Sequence, residues 1–181
     1  MLLYHGTPEP MGKKIIAERV IKNNCNRLWN GSIQAVGEKI DISTTDGLVY
    51  FSNKLSLASF YGNANRWNCK EKTSLIYVFR VNIPEEELLP DWDEIKINWK
   101  QIVRKDITAE QSLSICSCVS VDHSIKADKY NIEYIEIDML DDSSELSEKI
   151  IDLCREYKNN MEPDPEDLVN EIDVLGKWIR L

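Results

Sequence analysis

The sequence predicts an α+β fold. Segments with strand character are scattered among helical ones, without the regular strand-helix alternation of a parallel sheet. No glycine-rich phosphate loop opens any helix, and Gly47 and Gly62 do not make a dinucleotide fingerprint. Of the 181 residues, 43% are apolar, enough for one sizeable core and short for two full domains.

Each element has its own local warrant. Residues 1–5 are an apolar strand broken by Gly6 and Pro8, and Pro10 near a first turn opens a helix through about Asn23, with Ile15, Ile16, Val20 and Ile21 on its apolar face. Residues 24–46 show no sustained period and read as a long loop of the kind that covers sites. A short strand follows at Val49 to Ser52. Ser52 or Asn53 is placed to cap a helix whose inner face holds Leu55 and Ala58, with Tyr61 in its last turn and Gly62 at its end. Residues 75–83 alternate as a half-buried strand stopped by Pro84. Thr108 and Gln111 have capping-box spacing, which predicts a helix there. Strands are expected at 116–122 and 131–138, then an amphipathic helix over 143–158 and a weaker one over 164–178.

The net charge of −9 is unevenly placed. From Asp138 onward 13 acids face 5 bases, leaving 18 acids and 17 bases in residues 1–137. Such a tail repels nucleic acid and suits a basic protein partner, although a solvated helical face is its commoner meaning. The near-neutral remainder carries no basic stripe. No apolar run is long enough to span a bilayer and no leader-like segment opens the chain, so the expectation is a cytoplasmic protein without membrane contact. Five irregularly spaced cysteines read as free thiols. Cys116, Cys118 and His123 lack the paired spacing of a zinc site, and no metal is expected. The run Asp91-Trp92-Asp93-Glu94 reads as a solvated loop with Trp92 packed down; a cation or a basic partner is its other reading.

The chemistry lies in two segments, Tyr4-His5-Gly6-Thr7 and Gly47-Leu48-Val49-Tyr50-Phe51-Ser52, the second followed by Ala58 and Tyr61. Singly, these are an ordinary strand-end histidine, a turn glycine and core aromatics. In this order and spacing they resemble the first two motifs of the ADP-ribosyltransferase superfamily, in the His-Tyr-Glu branch that contains diphtheria toxin and the poly-ADP-ribose polymerases. The resemblance covers residues 1–62 and implies a split, bent β-sheet over residues 1–138, with 139–181 as an acidic, mainly helical extension packed on or next to it. It implies that His5 binds the adenosine ribose of NAD, that the Gly6 backbone, beside Thr7, holds the nicotinamide carboxamide, and that Tyr50 and Tyr61 sandwich the nicotinamide ring. Offset stacking on a flat ring contributes about 0.5–1.5 kcal/mol beyond burial.

The third motif of that branch is a glutamate at the start of a late strand. A carboxylate there stabilises the oxocarbenium-like state formed as nicotinamide leaves. Two registers are open. Glu133-Tyr134-Ile135-Glu136-Ile137-Asp138 resembles the polymerase form of the motif and makes Glu133 catalytic beside His5 and Tyr61. Alternatively residues 131–138 are the final strand, residues 116–122 are the motif strand, and Ser117 replaces the glutamate. Glu110 or Asp122 would then act as a displaced carboxylate, or activity is lost. The expected function is an NAD-dependent ADP-ribosyltransferase that passes ADP-ribose to a protein or nucleic-acid acceptor and releases nicotinamide without a metal. The alternative is an inactive binding module of the same fold that acts through its acidic surface.

Overall fold

Strand β1 (Leu2–Pro8) outruns its expected end because Gly6 and Pro8 both fit the ladder. Gly6 pairs with Val78, and Pro8, which lacks a donor, takes the last position, opposite Ile76. These relations come from a computed structural model, which describes residues 1–23, 32–35, 38–41, 47–99, 106–159 and 162–181. Helix α1 (Glu9–Glu18) follows with Pro10 in its first turn, and Arg19 stops it in the left-handed region (φ 57°). The expected continuation to Asn23 is instead β2 (Val20–Ile21). Within the stretch expected to be loop, β3 (Ser32–Ala35) and β4 (Glu38–Asp41) form an antiparallel pair; the remainder of 24–46 lies outside the described residues.

The chain continues through β5 (Val49–Ser52), α2 (Leu55–Arg66), β6 (Leu75–Asn82), a 3₁₀ turn at Glu85–Glu87, β7 (Leu89–Pro90) and α3 (Trp92–Trp99). Then come α4 (Ala109–Cys116), β8 (Cys118–Val121), β9 (Ile125–Lys126), β10 (Ile132–Asp138), α5 (Glu145–Tyr157), α6 (Glu166–Gly176) and β11 (Ile179–Arg180). The fold is α+β. Its main sheet has the order β11-β10-β6-β1-β5-β8-β7, with antiparallel neighbours throughout.

Three local expectations are corrected. Helix α2 does not end at Gly62; that glycine lies inside it, pressed against the backbone of Gly6 and Thr7. Cys116 closes α4 rather than opening a strand, because Ser117 turns the chain in the left-handed region (φ 58°). The run at Asp91 to Glu94 is not a solvated loop: it begins α3, and Asp91, Asp93 and Glu94 are only 4%, 8% and 8% exposed. The Thr108/Gln111 capping box at α4 is present as the spacing predicts.

The main sheet is buried on both faces. Leu3, Phe51, Phe79, Val81, Val119 and Ile132 pack on the side that Ile15 of α1 covers. Tyr4, Ile76, Val78, Ile135 and Ile137 pack on the other side with Leu55 and Ala58 of α2, Ile150 and Leu153 of α5 and Ile172 of α6. The acidic extension is therefore built into the core, with its apolar stripe inward. Trp178, just past α6, lies under the Arg80 guanidinium 4.2 Å from its ring centre, and Arg80 also pairs with Asp173 at 3.0 Å. Among the described residues no helix is long and apolar enough to cross a membrane.

The main sheet has a seam. β1 registers with β6 along its whole length, Leu2 to Pro8, but with β5 only where Tyr4 faces Ser52. Beyond that pair β5 gives Gly6 and Thr7 no registered partner.

Candidate functional site

At this seam the His5 side chain does what a ladder bond would otherwise do. Its Nδ1–H donates to the Tyr50 carbonyl at 2.9 Å. A carbonyl can only accept, so the proton sits on Nδ1 and the lone pair of the neutral ring is on Nε2. Burial holds the His5 pKa below its usual value, opposed by the bond to Tyr50, so the ring is neutral around pH 7. Phe51 and Phe79 flank it, with ring centres 5.7 and 6.5 Å away.

Helix α2 meets β1 backbone to backbone. A Cβ on Gly6 would lie 1.8 Å from the Ala58 carbonyl oxygen, and one on Gly62 would lie 3.0 Å from the Thr7 nitrogen. Two facing glycines let the helix settle into the strand, and this depth sets where Tyr61 stands one turn after Ala58. Tyr61 packs against the cluster of Leu57, Ile95, Cys116 and Cys118, with the Phe60 ring centre 5.5 Å away.

The two tyrosines converge on one turn of α3. Tyr50 donates to Asp93 Oδ2 at 3.1 Å, and Tyr61 donates to Glu94 Oε2. Burial first, and the Glu94 charge second, push the Tyr61 phenol far above its usual value, so it remains a donor. The strand order delivers these acids: β7 is two strands from β5 by way of β8, roughly 10 Å, and α3 begins directly after it. Asp91 caps the turn, its Oδ1 accepting the Glu94 N–H at 2.9 Å, while its own N–H donates to Ser112 Oγ at 3.0 Å. The helix N-terminus favours carboxylates in this first turn. The legible signal was the spacing itself, an aspartate three residues before a glutamate at the start of an apolar run.

Burial raises the Asp91 carboxyl well above its usual range, aided by the charge of Glu94 and opposed by the bond from the Glu94 N–H. A carboxyl with a raised folded-state pKa contributes stability at low pH that is lost as pH climbs from the unfolded value, about 3.9, through the folded one. Asn caps equally well and carries no charge. Asp91→Asn is therefore expected to raise stability at pH 8 by about 1 kcal/mol, roughly 2–4 °C, and to flatten the melting temperature between pH 4 and 8. Thermal unfolding across that range checks it; a variant as pH-dependent as the parent contradicts it.

Of the residues singled out in the sequence, the structure brings His5, Gly6, Thr7, Tyr50 and Tyr61 to the seam. It does not bring Glu133 there. Glu133 lies on β10, three strands from β5, roughly 14 Å of sheet. Its carboxylate accepts from Arg80 Nε at 2.7 Å. The strand beside β5 is β8, whose row runs Tyr50 opposite Ser120 and Ser52 opposite Cys118. No carboxylate stands at its start: Ser117 gives its carbonyl to Ser52 Oγ at 2.7 Å, and Cys116 donates to the Ser112 carbonyl at 3.1 Å. Glu110 and Asp122 are both exposed, and Asp122 pairs with His123 at 3.1 Å. His123 also meets Glu87 and Tyr130, each at 3.0 Å. Among the described residues no group of His, Cys, Asp and Glu is arranged to hold a metal ion, and Cys69, Cys116, Cys118 and Cys154 are free.

Comparison with known proteins adds no relative. The chain matches no protein-family model, and no curated protein or solved structure is significantly similar to it.

Proposed function

We propose that the chain binds NAD at the β1–β5 seam and breaks its nicotinamide–ribose bond, passing ADP-ribose to a protein or nucleic-acid acceptor. The observation that carries this reading is the assembly at one seam of residues 45 positions apart, with the His5 imidazole bonded to the Tyr50 carbonyl. The backbone groups of Gly6 and Thr7, to which β5 gives no registered partner, suit a carboxamide, which needs one donor and one acceptor. His5 Nε2 offers an acceptor to a ribose hydroxyl, and Tyr61 offers a face to a flat ring. The single registered pair between β1 and β5 is in keeping with the split sheet of the ADP-ribosyltransferases, and a cytoplasmic setting suits a reaction that consumes NAD.

The test is calorimetric titration of NAD and of nicotinamide into the protein, with nicotinamide release measured alongside. Tyr61→Ala is expected to weaken NAD binding about tenfold, the size of one lost stacking contact, while Tyr61→Phe keeps the ring and most of the affinity. Equal affinity in all three proteins would count against the slot.

A second reading, an NAD-binding or partner-binding module without turnover, is favoured by the pairing of Glu133 with Arg80 and by the uncharged start of β8. Binding without nicotinamide release would support it. Its contact surface would be the exposed acids of α5 and α6, including Glu145, Glu148, Glu166 and Glu171, which suit a basic protein.

A further inference from the structure

Departure of nicotinamide leaves positive charge on the ribose C1′, and some carboxylate near the slot must meet it if the bond is to break at a useful rate. The residues that sequence reasoning offered for this task stand elsewhere. Glu133 is ion-paired to Arg80 across the far half of the sheet, Ser117 has no charge, and Glu110 and Asp122 face solvent. The acids that touch the slot come from α3. Glu94 accepts from Tyr61 and Asp93 accepts from Tyr50, both side chains being almost fully buried. Their contact with the two aromatic residues, rather than their number, ties them to the slot.

We propose that Glu94 is the catalytic carboxylate of this protein, supplied by the first turn of α3 in place of a glutamate on the late strand. The inference rests on the NAD reading of the slot. Asp91 is committed to capping, through the bond from the Glu94 N–H, and burial favours its neutral form. Asp93 holds the phenol of Tyr50, whose carbonyl holds His5, and so positions the histidine. Glu94 is one methylene longer and is bonded to the tyrosine that offers its face to nicotinamide. In the reaction the C1′–N1 bond breaks with its electron pair going to the nicotinamide nitrogen, which neutralises the pyridinium. The Glu94 carboxylate faces the cationic C1′. A hydroxyl or amine of the acceptor, or water, then bonds to C1′ and gives its proton to Glu94. No electrons are exchanged with any other reagent.

The experiment uses the full chain, NAD as the probe, and two readouts: affinity by calorimetry and nicotinamide release in the presence of lysate as acceptor source. Glu94→Gln is expected to bind NAD within about threefold of the parent and to release nicotinamide about 100-fold more slowly or worse. Glu133→Gln is expected to change release by less than about threefold, since it removes a charge remote from the slot. Should Glu94→Gln fail to fold, Glu94→Asp keeps the charge while shortening its reach, and is expected to lose about tenfold in release with affinity preserved. Release that survives Glu94→Gln, or survives Glu94→Asp undiminished, overturns the assignment, as does release abolished by Glu133→Gln. A parent that binds NAD but releases no nicotinamide overturns the role of Glu94 and leaves the slot standing. A parent that binds no NAD removes the slot itself.

Discussion

Gly6→Ala is expected to cost more than about 3 kcal/mol, and so most of the stability of a domain of ordinary margin. The added methyl would lie 1.8 Å from the Ala58 oxygen and 2.5 Å from the Ala58 carbon, both backbone atoms in the middle of α2. No rotamer change can relieve that contact. The helix has to lift by more than an ångström, which uncovers Leu55 and Ala58 and withdraws Tyr61 from its place beside Glu94. Gly176→Ala is the milder contrast: its Cβ would meet the Cγ2 methyl of the buried Ile135 at 2.9 Å, a side-chain atom rather than backbone, so the expected loss is smaller, about 1–3 kcal/mol. Urea unfolding of the three proteins checks the contrast. Comparable midpoints for Gly6→Ala and the parent would mean that α2 does not rest on β1 as described.

The second large effect belongs to Asp164. Helix α2 has no side-chain cap of its own, and its first-turn Ser56 N–H and hydroxyl both donate to Asp164, at 2.8 and 2.6 Å. The same carboxylate stands 3.9 Å from the ammonium of Lys54, which is 2% exposed and also donates to the Tyr157 carbonyl. Removal of Asp164 strips the cap and deprives a buried cation of its counter-charge. Asp164→Ala is expected to destabilise by about 3 kcal/mol, with the lost cap near 1 of these and the weakened ion pair the rest. Burial lowers the Lys54 pKa and Asp164 opposes that shift, so the variant's amine should titrate lower still. A lowered folded-state pKa means that the unfolded chain binds more protons in the window up to about 10.4, so stability rises with pH there. Asp164→Ala should therefore regain part of its loss between pH 8 and 10. Denaturant titrations at both values read this directly, and a loss that grows toward pH 10 would contradict it.

What could be read from the sequence, and what could not, divides by the range of the interactions. The strand and helix positions of His5, Tyr50 and Tyr61 were legible because local pattern sets them. The capping box of α4 was legible for the same reason. Gly6, by contrast, reads locally as a strand breaker and instead continues β1, opposite Val78. The carboxylates of α3 were misread as solvated because four polar or aromatic residues in a row resemble a loop. Their burial depends on a two-residue strand, Leu89–Pro90, whose pairing with β8 no local pattern announces. The cap of α2 comes from Asp164, 108 residues away, and the nearer Ser52 instead bonds the Lys54 N–H and the Ser117 carbonyl. Glu133 matched a motif by its flanking residues, yet which strand neighbours which is a property of the whole sheet. Arg80 opposite it became visible only once β6 and β10 were paired.

The way in which α5, α6 and β11 enter the main sheet bears on how such a chain could change over time. Leu181 donates its N–H to the Ile132 carbonyl, Arg19 donates to the Leu181 carbonyl, and the apolar faces of both helices close over the strand that carries Ile135 and Ile137. Residues 139–181 are thus no exchangeable module. Recombination at residue 138 would separate two halves that cannot each bury their own surface, and shuffling of the first 138 residues into another protein would carry an open sheet face with it. Sequence drift in the acidic segment is free on its outer side and constrained on its inner one, so the heritable unit includes that segment as well as the residues of the slot.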